Sequence, residues 1–239
     1  MNIALIGYGK MGKAIEQIAI DRGHKIVAVI TTANRKELTG GNLNGADVAI
    51  EFTHPESALQ NLTDCINAHI PVVCGTTGWN EQIQQINDLA ITNKVGLLCA
   101  SNFSVGVNIF FEINKQLATL MNGWDEYNVA VTETHHIHKK DKPGGTAISI
   151  AEQILANIDR KNNWVLAEGA VEPQELGIAA HRIGEVPGTH TVTYSSAIDE
   201  ITITHTAHNR TGFATGAVLA AEFLQGKTGI FTMKDVLGL

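Results

Sequence analysis

Within Glu133-Thr134-His135-His136-Ile137-His138-Lys139-Lys140-Asp141-Lys142-Pro143-Gly144-Gly145-Thr146-Ala147, three histidines and three lysines fall in eight consecutive positions. The run then meets a Pro-Gly-Gly turn and passes into a helix-like segment. Histidine exchanges a proton near neutral pH, lysines add a positive field, and the first turn of a helix presents N–H groups that favour anions. Together these suit a site that holds a small polyanion and delivers a proton to it. Extended backbone over 133–139 would put His135, Ile137 and Lys139 on one face, and His136 and His138 on the other. His135 would then stand beside Lys139, with His136 turned the other way. His138 reads as a surface or structural histidine, and Lys140 and Lys142 as solvated charges. No carboxylate or cysteine at ligand spacing joins the three histidines, so no metal is expected.

Gly7-Tyr8-Gly9-Lys10-Met11-Gly12 follows a strand-like run and opens a helix-like one. In that context the first glycine permits a tight turn, the second lets backbone approach a pyrophosphate, and the third allows close helix packing. A glycine-rich structural turn is the alternative. The acidic residue that usually reads the ribose of NAD about 20 residues further on is missing. Ile30-Thr31-Thr32-Ala33-Asn34-Arg35-Lys36 stands there instead, with nothing to repel a 2′-phosphate. NADPH should therefore be accepted at least as well as NADH, unless Arg35 and Lys36 are only solvated loop charges.

These residues need a scaffold, and the chain's first hundred positions supply the pattern of one. Short apolar runs (Asn2 to Ile6, Lys25 to Thr31, Asp47 to Phe52, Pro71 to Cys74, Val95 to Cys99) alternate with helical patterns (Met11 to Arg22, Pro55 to Ala68, Asn80 to Asn93). Such alternation predicts a parallel sheet covered on both faces. A helix follows to about Met121, then a strand over Tyr127 to Glu133 and a helix over Thr146 to Ile158. Period-two runs at Ile178 to Arg182, His190 to Ser195 and Glu200 to Thr206 predict antiparallel or mixed strands, before a last helix over Thr211 to Leu224. Trp79, Trp124 and Trp164 read as packing residues.

The net charge of −7 excludes general binding to nucleic acid or an anionic membrane. No apolar run approaches the roughly 18 to 20 residues of a membrane span. Cys65, Cys74 and Cys99 form no CxxC and read as buried thiols in a reducing cytoplasm.

In their order along the chain, GYGKMG at Gly7 to Gly12, GTTG at Gly75 to Gly78, SNFSVGVN at Ser101 to Asn108 and ETHHIHKKDKPGGTA resemble the 4-hydroxy-tetrahydrodipicolinate reductase (dihydrodipicolinate reductase) family. The tail is similar as well, from His181-Arg182 through Gly188-Thr189-His190 to Gly229-Ile230-Phe231. The resemblance implies an α/β fold. A Rossmann dinucleotide-binding domain over 1–105 is completed by the return of 212–239. An α+β domain with a mixed open sheet, over 106–211, binds substrate and builds a homotetramer. It implies NADH- or NADPH-dependent reduction of the cyclic intermediate of the diaminopimelate route to lysine. His135 matches the general acid, Lys139 its partner, His136 a substrate contact, and Gly145 with Thr146 the carboxylate-binding helix start. Gly7, Tyr8, Gly9, Lys10, Met11 and Gly12 match the phosphate loop. Gly75, Thr76 and Thr77 match loops around the nicotinamide, as do Ser101, Asn102 and Phe103. The sequence departs from the family at Gly144, where serine is common, and at Thr31 and Thr32, where many members carry an acid and which here would face the adenosine ribose. A non-catalytic dinucleotide-binding regulator, or a reductase of another small dicarboxylate such as an amino-acid dehydrogenase, are the competing readings.

Overall fold

The alternating N-terminal pattern folds, in a computed structural model, as a sheet whose strands all run parallel. The structure describes residues 1–39, 43–169, 171–209 and 211–239. The first segments are β1 (Asn2–Ile6), α1 (Lys10–Asp21), β2 (Lys25–Ile30), α2 (Lys36–Thr39), β3 (Val48–Glu51), α3 (Pro55–Asn67), β4 (Val72–Cys74), α4 (Ile83–Asn93) and β5 (Gly96–Cys99). There follow α5 (Val105–Met121), β6 (Asn128–His135), α6 (Gly145–Leu155), β7 (Asn163–Leu166), β8 (Glu175–Arg182), β9 (Gly188–Ser195) and β10 (Glu200–Ala207). The chain ends in α7 (Thr211–Leu224), β11 (Gly229–Phe231) and α8 (Met233–Leu237). Two compact units result, Met1–Val105 with Thr211–Leu239, and Gly106–Arg210.

In the first unit the strand order is β11-β5-β4-β3-β1-β2. Two apolar cores sandwich the sheet. One joins Ile6, Ala49 and Val72 to Leu62, Ile66, Ile86 and Ala90 of α3 and α4. The other joins Ile3, Leu5, Ile50 and Val73 to Ile15, Ala19, Ala217, Ala221 and Leu224 of α1 and α7. The small residues of α7 let it lie against both α1 and the sheet, and Glu222 ties the pair by ion pairs to Arg22 at 2.7 Å and His24 at 2.8 Å. The chain leaves β1 for β2 on one side and then returns to β3 on the other. The β1/β3 junction is therefore the topological switch point, where open α/β sheets bind ligands at the carboxyl ends of their strands.

In the second unit the order is β10-β9-β6-β8-β7, with β6, β8 and β7 parallel and β9 antiparallel to both its neighbours. Val129, Val131, Leu176, Ile178, Val192 and Tyr194 form an inward face that packs on Phe110 and Ala118 of α5 and Ile150 and Ile154 of α6. β6 runs two residues past the predicted end, to His135, because its ladder with β8 continues to the His135–Arg182 pair. Four short elements, α2, β7, β11 and α8, are not marked by any periodicity in the sequence. Trp79 is buried and Trp164 is packed against the second core, but Trp124 is 56% exposed and packs in neither unit. It sits in the turn after α5, beyond the last residue of that helix to face the core. Among the described residues no helix is long and apolar enough to cross a membrane.

Candidate functional site

At the carboxyl ends of β1, β2, β3 and β4 lies a cleft of about 660 Å³. Gly7, Tyr8, Gly9, Lys10 and Met11 line it, with Thr31 and Thr32 after β2 and Gly75, Thr76 and Thr77 after β4. The three glycines play different parts. Gly7 has φ +95°, and a Cβ there would stand 2.0 Å from the Phe52 carbonyl oxygen. A Cβ on Gly12 would stand 2.3 Å from the Gly7 carbonyl oxygen, so Gly12 packs behind the loop rather than lining the cleft. Gly9 caps α1 without a side chain, and nothing lies within 4 Å of where its Cβ would be. A loop that is tight at both ends and open in the middle, at a helix start, fits the pyrophosphate of a dinucleotide.

Glu51, missed in the sequence, is a fully buried carboxylate beneath this cleft. It accepts hydrogen bonds from the Thr76 hydroxyl (2.7 Å), the Asn61 amide (3.2 Å), the Cys74 thiol (3.2 Å) and the Thr53 hydroxyl. Thr53 and Thr76, which line the cleft, are thereby fixed in rotamer. A neighbouring Cys99 thiol, burial and the Glu51 charge all push the Cys74 thiol up, so it stays protonated. At the far side Arg35 also lines the cleft, but its guanidinium is 2.7 Å from Asp64. The Thr31 hydroxyl closes a local turn on Asn34 at 3.0 Å, whereas Thr32 is exposed on the cleft wall. Ser101, Asn102 and Phe103 follow β5 and stand outside this cleft. The Phe103 ring is buried, 5.6 Å from that of Phe52.

The second unit carries the histidine-lysine segment. Extended backbone does not continue to residue 139, because β8 pairs no further than Arg182 and the β9 ladder ends opposite Thr134. Beyond them Ile137 N–H donates to the Gly184 carbonyl (3.1 Å) and Lys139 N–H to the His136 carbonyl (3.2 Å), which makes a turn. Lys139 thus comes back toward β6 by reversal, not by sharing a face with His135. His138 is exposed and paired with Glu185 at 2.9 Å. His136 is half-buried, its ring 5.9 Å from that of His138. Lys140 is exposed, and Lys142 is 3.5 Å from Glu168. Gly144 is the N-cap of α6, whose first turn holds Gly145 and Thr146.

Strand periodicity puts Glu133 on the inward face after Val129 and Val131, and His190 on the inward face before Val192 and Tyr194. Register sets Glu133 opposite His190 and His135 opposite Arg182. The Glu133 Oε1 accepts from Arg182 Nη2 (2.8 Å) and from Gly144 N–H (3.0 Å). Arg182 also donates to the carbonyls of Lys139 (3.3 Å) and Asp141, and so pins the turn that carries the lysine. The Lys139 ammonium is 2.5 Å from Asp141. His135 Nδ1 is 3.1 Å from the Pro187 carbonyl, and its Nε2 is 3.4 Å from His190 Nε2. Burial holds His135 below its ordinary 6.5, with Glu133 opposing and Lys139 and Arg182 reinforcing that shift. Burial above all, then the nearby histidines and Lys139, takes His190 down to about 3.

A carboxylate does accompany His135, therefore, from its own strand and unnoticed in the sequence. Glu133, His135 and His190 each bring a donor atom within 4.8 Å of the others. Arg182 already sits on that carboxylate, and the ammonium of Lys139 faces the same region, so the local field suits a shared proton better than a divalent ion. Glu133, Arg182 and His190 were legible only as charged or polar residues at positions where strand alternation demands apolar ones.

Comparison with known proteins adds the family. The family model described as dihydrodipicolinate reductase, N-terminus, matches residues 1–103, and that described as dihydrodipicolinate reductase, C-terminus, matches residues 106–237. The 4-hydroxy-tetrahydrodipicolinate reductase of Christiangramia forsetii is 49% identical over 239 residues, 99% of this chain and 98% of that one. That of Neisseria meningitidis serogroup B is 35% identical over 94% of this chain and 84% of its own. Among solved structures, dipicolinate-bound dihydrodipicolinate reductase from Paenisporosarcina sp. TG-14 has a TM-score of 0.79 over 98% of each chain at 22% identity, a likeness of fold. An amine dehydrogenase from Mycobacterium smegmatis shares the fold more distantly, with a TM-score of 0.61 at 12% identity over 98% of this chain and 95% of that one. Matched along both halves, and close to half identical to a relative of equal extent, the chain belongs to the dihydrodipicolinate reductase family.

Proposed function

We propose that this protein reduces 4-hydroxy-tetrahydrodipicolinate to tetrahydrodipicolinate in the diaminopimelate route to lysine. NAD(P)H and a proton are consumed, and NAD(P)⁺ and water are released. The observation that carries the reading is a histidine, a lysine and a helix start brought together on one strand end, in a chain of this family. A bound nicotinamide dinucleotide supplies the hydride; the remaining steps belong to side chains. Gly145 and Thr146 offer first-turn N–H groups to one substrate carboxylate, and Lys139, released from Asp141, takes up negative charge. His136 contacts the substrate. His135 gives the proton that quenches the electron density left by hydride addition. Burial biases His135 toward the neutral form, so a dianionic ligand beside it is what raises its hold on the proton.

On the cofactor side the proposal assigns the pyrophosphate to Gly7 through Gly12 and the nicotinamide half to Gly75, Thr76, Thr77, Ser101, Asn102 and Phe103. Thr31 and Thr32 would face the adenosine ribose. With no acid after β2, the site accepts NADPH at least as well as NADH. Arg35 serves a 2′-phosphate only to the extent that Asp64 shares it. Three free thiols suit a reducing cytoplasm, and the family resemblance supports a homotetramer. The test is oxidation of NADPH and of NADH in the presence of substrate made freshly from pyruvate and aspartate semialdehyde. Rapid substrate-dependent oxidation is expected. Tight cofactor binding without oxidation would reject the reaction, and a strong preference for NADH would reject the cofactor assignment.

A further inference from the structure

Glu133 is a carboxylate wholly out of water whose two oxygens have unequal surroundings. Oε1 is saturated by Arg182 and the Gly144 N–H. Oε2 has no hydrogen-bond partner among the described residues and stands 3.7 Å from His135 Nε2 and 3.9 Å from His190 Nε2. A charged oxygen held without a partner in the interior is costly unless a proton comes to it. The tautomer of His135 shows when one does. Its Nδ1 faces the Pro187 carbonyl, which can only accept, so Nδ1 carries a hydrogen in the neutral ring. Nε2 is then a lone pair, and becomes a donor only when the ring takes a second proton. That second proton is the one a general acid gives away, and it sits on the nitrogen nearest Glu133 Oε2.

We propose that Glu133 is the positioning residue of the acid: locked through Oε1 by Arg182 and Gly144, it aims Oε2 so as to hold the transferable proton on Nε2 of His135, with His190 closing the far side. This rests on the reading of His135 as the acid and names the residues that load it. The groups facing His135 are Glu133 on its own strand, Arg182 on β8, His190 on β9 and Lys139 in the following turn, the last paired with Asp141. Among them Glu133 is the one whose charge favours imidazolium. Because the Gly144 N–H holds the same carboxylate, the acid is also tied to the residue that opens the anion-binding turn of α6.

The test follows the His135 ring by nitrogen-15 NMR on histidine-labelled full-length protein, assigned with His135→Gln. In Glu133→Gln the protonation midpoint of His135 should fall by one pH unit or more, because burial, Lys139 and an Arg182 charge no longer neutralised by Glu133 are then opposed only by the Pro187 carbonyl. An unchanged midpoint in a folded variant overturns the proposal. Should Glu133→Gln fail to fold, Glu133→Asp keeps the charge but withdraws it. Its midpoint should fall by less, and no change there overturns the proposal equally. In turnover, the high-pH limb of kcat, where the acid has lost its proton, should move to lower pH by a similar amount while KM for NADPH stays put. If the wild type reduces no substrate, the reaction assignment fails, yet the titration still decides what Glu133 does.

Discussion

Gly144 and Lys139 compete for one position: a Cβ on Gly144 would stand 2.7 Å from Lys139 Cε and 3.0 Å from its Nζ. The same point lies 2.8 Å from Glu133 Oε2. The backbone at Gly144 has φ −77°, so no conformational strain forbids a side chain there. Space alone decides, and of the two neighbours Glu133 is locked whereas Lys139 ends in a flexible stem. Gly144→Ala should therefore leave the protein folded and displace the ammonium. Thermal unfolding should shift little, while kcat/KM for substrate falls roughly 10-fold or more, at about 1.4 kcal/mol per factor of ten. Loss of folding instead would mean that Glu133, not Lys139, gives way.

His135→Ala and Lys139→Ala test the proton path directly. General acid catalysis contributes about 10²- to 10⁴-fold, so kcat for His135→Ala should drop by that order with the dissociation constant of NADPH unchanged. Lys139→Ala should lower kcat and also raise KM, since in the proposed mechanism the same ammonium binds a carboxylate and supports the transition state. Steady-state kinetics with fluorescence titration of the cofactor separates the two effects. A variant with wild-type turnover would remove its residue from the mechanism.

The nucleotide loop makes a contrast within one motif. Gly9→Ala adds a methyl group where nothing lies within 4 Å, so the apo protein should keep its stability. The methyl then occupies the approach to the helix start, and affinity for both NADPH and NADH should fall by 10-fold or more. Gly12→Ala meets the Gly7 carbonyl at 2.3 Å inside a packed turn, and should cost stability of roughly 1–3 kcal/mol before any question of binding arises. Thermal shifts in the absence and presence of cofactor distinguish these. Equal destabilisation by both substitutions would reject the division of roles.

Local patterns carried the parallel sheet and the histidine-lysine segment into view, because hydrophobic periodicity and glycine chemistry act over a few residues. What stayed hidden depends on register between distant strands. His135 and His190 are 55 positions apart, and only the β6–β9 ladder sets Glu133 against His190. Arg182 becomes a partner of Glu133 only through the β6–β8 ladder. The turn over 136–139 was likewise invisible, since it arises where both neighbouring ladders stop rather than from any Pro or Gly in the turn. Trp124 shows the opposite failure, an aromatic side chain whose type suggested a core and whose place beyond the end of α5 denied it one.

The buried histidines give stability a pH dependence whose sign is fixed by the direction of their shifts. His190 has its folded value lowered from 6.5 to about 3, so the unfolded chain binds that proton more readily. Its contribution is complete above pH 6.5 and is lost as pH falls from there toward 3, on the order of 5 kcal/mol in total at about 1.36 kcal/mol per unit. His135 and His205, also lowered by burial, act in the same direction below 6.5. Glu222, held down by Arg22 and His24, loses its contribution only below its ordinary 4.5. Urea midpoints should therefore already decline between pH 7 and 5, ahead of the carboxylates, at up to about 1.4 kcal/mol per pH unit from His190. His190→Gln should flatten that decline while leaving the drop below pH 4.5 in place. A wild-type midpoint that stays level from pH 7 to 5 would mean that His190 is hydrated or charged in the folded protein, and the cluster around Glu133 would then have to be rebuilt with a second imidazolium in it.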